Sequence, residues 1–164
     1  VKSWELLLGL AAYLTPLVTA AGGKLQVAKS LEHAHKMLNE GPQGWSLILH
    51  YEGVSPHPNS RDGMAYRRVA TVIQQEEGLK IRKGDALFDS LAGGPPMLAR
   101  TEQVSEWMRA LKFPDGLDAD CAGFSLEEED WVESKPQTLA MSLSWQLEVA
   151  LPHFSQSATF VIPA

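Results

Sequence analysis

Residues 139–151 read Leu-Ala-Met-Ser-Leu-Ser-Trp-Gln-Leu-Glu-Val-Ala-Leu. The odd positions hold Leu139, Met141, Leu143, Trp145, Leu147, Val149 and Leu151, all large and apolar. The even positions hold Ala140, Ser142, Ser144, Gln146, Glu148 and Ala150. Side chains alternate faces along a strand, so this period of two predicts a long strand with one buried face and one wetter face. A helix would scatter the same apolar residues around its circumference. A strand this long, near the end of the chain, needs partners, and the sheet they form must be mainly antiparallel where one face stays wet.

The surrounding sequence supplies strands and helices to match. Trp45 to Tyr51 is an apolar strand, with Trp45, Leu47, Leu49 and Tyr51 on one face and Ile48 on the other. Met64 to Gln75 forms its partner, with Val69–Ile73 at its heart, and Ala122 to Trp131 forms another strand through Phe124 and Leu126. Lys24 to Ala28 alternates briefly, and Thr159 to Ile162 suits a short edge strand. Val104, Trp107, Met108 and Leu111 recur at helical spacing within a helix from about Met97 to Lys112. Ser30 caps a helix from Leu31 to Asn39, ended by Gly41-Pro42. Amphipathic helices need an apolar surface, and one face of the sheet provides it. The expected class is therefore α+β: a two-layer sandwich, mainly antiparallel, with two or three helices packed on one face. The whole chain, 1–164, reads as a single domain. Its parts are an N-terminal helix over 1–22, loops over 53–63 and 76–96, and a C-terminal tail over 153–164.

The N-terminal stretch has two readings. Leu6 to Leu14, followed by Val18-Thr19-Ala20-Ala21, imitates a leader with a small-residue cleavage site. Glu5, Trp4 and Pro16 fit that pattern poorly, whereas Trp4, Leu7, Leu8, Ala11, Leu14 and Val18 share one helical face. The preferred expectation is an amphipathic helix with Ser3 as N-cap. The stretch is too short and interrupted for a membrane span, so no membrane association is expected.

Composition and chemistry narrow the function. The net charge is −6, against the basic excess of a general nucleic-acid binder. A single cysteine, Cys121, rules out an intrachain disulfide, and its acidic surroundings (Asp118, Asp120) oppose thiolate formation. His33 and His35 are two apart, about 200° around a helix, so one helix face cannot use both as metal ligands. Gly93-Gly94-Pro95-Pro96 lacks the Gly-Lys-Ser/Thr of a phosphate loop, and no Gly-x-Ser-x-Gly elbow occurs. No catalytic residue, cofactor or metal site is expected.

Charge is segregated instead. Asp115, Asp118, Asp120, Glu127, Glu128, Glu129, Asp130 and Glu133 fall between Lys112 and Lys135 with no basic residue among them. Arg61, Arg67, Arg68, Lys80, Arg82 and Lys83 dominate 61–83. The two segments can meet within one chain or between copies, and a contact between copies closes into a ring when the rotation permits. Arg61, Arg67, Arg68, Asp118, Asp120, Glu127, Glu128 and Glu129 are the candidate subunit-contact or lumen residues.

The order of elements resembles a known family. A helix precedes the strand Leu47-Ile48-Leu49-His50-Tyr51-Glu52-Gly53. Next come the Met64–Gln75 strand and the helix Glu102-Gln103-Val104-Ser105-Glu106-Trp107-Met108-Arg109-Ala110-Leu111, running into Phe113-Pro114. A hydrophilic strand and the long Leu139–Leu151 strand close the series. This resembles the tail-terminator, or tail-completion, proteins of long-tailed bacteriophages and prophages. The resemblance implies a non-enzymatic structural protein that assembles as a hexameric ring. Such a ring caps the tail tube, meets the head connector and lets DNA pass without specific binding. It would be cytoplasmic during assembly and then part of the virion. A non-enzymatic binding or adaptor domain of similar architecture is the alternative, and a small hydrolase using the acidic cluster 115–133 the third.

Overall fold

A computed structural model describes residues 2–41, 44–56, 64–76, 95–113, 122–136, 138–150 and 155–163. In chain order the elements are α1 (Ser3–Ala20), β1 (Lys24–Ala28), α2 (Leu31–Glu40), β2 (Trp45–Pro56), β3 (Met64–Glu76), α3 (Met97–Ala110), β4 (Lys112–Phe113), β5 (Ala122–Trp131) and β6 (Thr138–Ala150). The strands form one sheet in the order β1-β2-β3-β6-β5-β4. β1 runs parallel to β2, and every other neighbouring pair is antiparallel. The class is the expected α+β with a mainly antiparallel sheet.

The alternating strand lies at the centre. β6 pairs with β3 along its full length, from Met64↔Ala150 to Glu76↔Thr138. Met141, Leu143, Trp145, Leu147 and Val149 are buried on one face with Leu47 and Leu49 of β2 and Val69 and Ile73 of β3. α1 and α3 cover this face. α3 contributes Val104 and Met108, with Leu111 just beyond it buried and Trp107 partly so, as the helical spacing predicts. Within this apolar layer the Trp145 indole N–H donates to Thr71 Oγ1 at 2.9 Å, so a fully buried polar pair is satisfied.

α2 departs from the one-face arrangement. It packs on the opposite side, where Ala34 and Leu38 meet Ile48, Ala70, Val72 and Ala140. The reason is connectivity: β1 and β2 are adjacent and parallel, so the chain between them must cross a face of the sheet. α1 and α3 occupy one face, and α2 takes the other. Counting the described elements, there are two layers at one end of the sheet and three where α2 sits. Gln74 fastens this helix, its Nε2 donating to the Leu38 carbonyl at 2.7 Å, one of the acceptors a helix C-terminus leaves open. At the other end the Ser30 hydroxyl accepts from His33 N at 3.1 Å, the expected cap.

α1 corrects the expected face. The row Leu6, Leu10, Leu14 and Val18 is buried, while Trp4 and Leu8 stand exposed. With three consecutive leucines at 6–8, several helical faces are equally apolar, and the straight i, i+4 row lies best along the sheet. Lys2, not Ser3, is the N-cap, and its side chain makes no capping hydrogen bond. Pro16 lies inside the helix on its solvent side and does not end it.

The C-terminal segment straps α1 to the sheet. Lys2 N donates to the Gln156 carbonyl at 3.0 Å, and Ala158 N donates to Glu5 Oε2 at 3.2 Å. Phe160 covers Gly9, where any Cβ would overlap the ring, and stacks edge-on to Phe113 at 4.9 Å. The expected strand over 159–162 is a single bridge, Val161 with Lys112.

Candidate functional site

Beyond the reach of α2, the same face of the sheet carries polar side chains. Two β-bulges shape it. The β2–β3 register passes from Tyr51↔Val69 to Gly53↔Arg68, leaving Glu52 as the extra residue. Gly53 takes a φ of +112°, which favours glycine at the bulge. The β5–β6 register passes from Leu126↔Trp145 to Glu128↔Ser144, leaving Glu127 as the second extra residue. Both carboxylates converge on Arg68, from strands on either side of the β3–β6 pair. Arg68 Nε donates to Glu127 Oε2 at 3.0 Å, and its terminal nitrogen lies 3.6 Å from Glu52 Oε2. Ser144 Oγ donates to Glu52 Oε1 at 3.0 Å. The side chains of Arg68, Glu52 and Glu127 are 30%, 23% and 38% exposed, so each ion pair contributes about 0.2–1 kcal/mol. One cation between two carboxylates leaves a net charge of −1 fixed on the open face.

Next to this triad an open cleft of about 330 Å³ separates α2 from the sheet. Leu31, Ala34, Leu38, Ala70, Val72 and Val132 form its apolar part. His35, His50, Glu52 and Ser142 supply polar groups. Burial pushes the His50 pKa below the usual histidine value. The Glu52 carboxylate opposes that shift and His35 adds to it. His50 is therefore neutral near pH 7, beside a carboxylate held by Arg68 and Ser144. Such a lining can orient a small, partly apolar group through one or two hydrogen bonds. Among the described residues no group of three or more His, Cys, Asp or Glu side chains is placed to hold a metal ion.

The sequence-selected residues fall into four sets. Arg61, Asp118 and Asp120 lie outside the described residues. Arg67 sits on the helix-covered face, 7% exposed, where its Nη1 donates to Tyr51 Oη at 2.6 Å. It is a core cation and does not present itself at a surface. Arg68 and Glu127 meet within one chain, so the basic and acidic segments make an intrachain contact at this point. Glu128 and Glu129 are exposed on β5. Sequence reading missed Glu52 and the cleft, and Gly53 after an apolar run was the one sign of a bulge there.

A second buried cation, Arg100 of α3, was also not anticipated. Its guanidinium lies 4.1 Å from the Trp45 ring centroid, with Nε 3.5 Å from Gln75 Oε1 and Nη1 3.3 Å from Gln103 Oε1. Desolvation lowers its pKa from the usual arginine value. It ties α3 to Trp45 at the start of β2, and it is not among the residues that line the cleft.

α1 is long and apolar enough to cross a membrane by length and composition, and it spends its Leu6–Val18 row on the core. Compared with known proteins, the chain matches no family and no curated sequence.

Proposed function

We propose that this protein is a ring-forming structural component of a long-tailed phage or prophage tail. In this role it caps or completes the tail tube and meets the head connector without catalysis. The observation that carries the reading is the order of elements around the sheet. An N-terminal helix, the long β2–β3 pair, a helix and a closing β5–β6 pair follow in the order on which the family resemblance rests, with β1 and α2, which are no part of that resemblance, inserted between the first helix and β2.

The uncovered half of the sheet supports the reading. On β6, Ser142 borders the α2 cleft, while beyond it Ser144 and Gln146 are half-buried and Glu148 is exposed, on a stretch of this face with no helix packed over it among the described residues. Small polar side chains on a flat sheet suit a neighbouring subunit or an aqueous lumen. The fixed negative charge of the Arg68 triad would repel the phosphate backbone and keep passing DNA from sticking. Light scattering and native mass spectrometry test the proposal on the full chain. A discrete closed oligomer, six copies by the family's pattern, is expected. A monomer at every concentration, in solution and with tail tubes added, would overturn it.

The cleft between α2 and the sheet favours a second reading, a non-enzymatic binding or adaptor domain. Here the cleft beside His50 and Glu52 would receive a small group from a partner. Perturbation of cleft backbone resonances by added partner segments, with the protein monomeric throughout, would support this reading over the first.

A further inference from the structure

The two edges of the sheet differ in charge and run in opposite directions. At one edge, β1 pairs only with β2, and no described strand lies on its outer side. Lys24 opens this strand and Lys29 follows it, both exposed, and Val27 is 38% exposed. Residues 6–31 include no Asp or Glu. At the other edge, β4 pairs with β5 only at Ala122 and Gly123. From Phe124 to Trp131 the outer side of β5 has no described strand beside it, and Glu127, Glu128, Glu129 and Asp130 are all exposed there.

An open edge is a ready template for another strand, and natural proteins guard such edges with charge. Four consecutive acidic residues repel a second copy of the same edge and any other acidic strand. They do not repel an edge flanked by lysines. Strand direction fits as well. β1 and β2 point one way, β3 the other, β6 with β2, and β5 with β3. A rotation about an axis along the strands keeps these directions, so β5 of one copy meets β1 of the next antiparallel, the stronger pairing.

We propose that neighbouring copies join by edge-to-edge pairing of β5 in one subunit with β1 in the next, selected by the Glu127–Asp130 and Lys24/Lys29 charges. This inference rests on the ring reading and names its interface. The contact is heterologous, so it closes into a ring when the rotation per subunit divides a full turn. Each copy then loses both open edges. The five residues of β1 set the length of the overlap. Arg68 holds Glu127 at one side and Asp130 Oδ1 accepts from Trp131 N at 2.8 Å, so Glu128 and Glu129 face the neighbour's lysines most directly.

Charge-swapped 164-residue chains test it. One variant carries Lys24→Glu and Lys29→Glu, and the other carries Glu128→Lys and Glu129→Lys. All four positions are exposed, and circular dichroism with a urea midpoint verifies folding. Should either variant misfold, Lys24→Gln/Lys29→Gln or Glu128→Gln/Glu129→Gln replaces it, and raised salt supplies an independent weakening of the wild-type contact. Native mass spectrometry is expected to show the wild type as a ring and each folded variant mainly as monomer. An equimolar mixture should rebuild rings with alternating subunits, because every interface again joins opposite charges. Folded variants that keep the wild-type ring would overturn the edge interface and leave the ring reading standing. Monomeric variants that fail to assemble when mixed would overturn the charge pairing. A wild type that never assembles would overturn the ring reading and this inference together.

Discussion

Replacing Trp145 with Phe probes the centre of the sheet. Trp145 is fully buried on β6, and its indole N–H reaches Thr71 Oγ1 at 2.9 Å. Phe removes about 40 Å³ of side chain, and at about 24 cal/mol per Å³ the cavity costs about 1 kcal/mol. The lost apolar burial adds about 1 kcal/mol. The Thr71 hydroxyl, itself fully buried, loses its donor, which adds about 1–2 kcal/mol. Trp145→Phe should therefore destabilise by about 3–4 kcal/mol. Thr71→Val preserves shape but strands the indole N–H, at about 1–3 kcal/mol. The double variant removes both partners and should be more stable than the sum of the single effects by about 1–2 kcal/mol. Urea unfolding followed by far-ultraviolet circular dichroism measures all four corners, since the substitution alters tryptophan fluorescence. Additivity within about 0.5 kcal/mol would refute the claim that this hydrogen bond holds the two central strands together.

Four further outcomes are expected. Gly9→Ala should expel Phe160 from α1 and destabilise the protein despite alanine's better helix propensity, with residues 155–163 becoming the first site of limited proteolysis. Because His50 has a lowered pKa when folded, the unfolded chain binds the extra proton first. Stability should then fall as pH drops below about 6.5, and His50→Gln should flatten that part of the urea-midpoint profile. Arg68→Met leaves Glu52 and Glu127 facing each other without their shared cation. It should cost about 1 kcal/mol in low salt and less in high salt, read from urea midpoints at two ionic strengths. Gln74→Leu should loosen α2 selectively, seen as faster amide exchange across 31–40 while β3 and β6 remain protected.

The strand pattern was legible wherever one face alone is buried. β6 alternates cleanly because its even positions meet small or polar surroundings, and β5 begins and ends where its sequence suggested. β3 is less readable, and α2 explains why. Its even side bears Ala70, Val72 and Gln74 under the helix but Tyr66 and Arg68 beyond it, while its odd side includes buried Arg67, Thr71 and Gln75 among apolar residues. Apolar Ile48, out of phase with Leu47 and Leu49, was the sign that a second face is covered. In α1 the leucine run hid the buried row, since periodicity cannot choose among equally apolar faces.

The site was less legible for a different reason. Bulges re-aim side chains without changing composition, so nothing in Tyr51-Glu52-Gly53 or Leu126-Glu127-Glu128 announces that two glutamates share one arginine. The charge segments were visible as runs. Their division into a core cation at Arg67, a clamped triad at Arg68 and an exposed edge at Glu128 depends on alternation between adjacent residues. Neighbours in sequence lie on opposite faces, so one basic pair serves two unrelated purposes.

Electron microscopy of the concentrated 164-residue protein shows directly whether it forms a ring. Closed rings with an open centre and a fixed number of subunits, six on the family's pattern, are the predicted particles. A field of single-chain particles, in the absence and in the presence of tail tubes, would contradict the account.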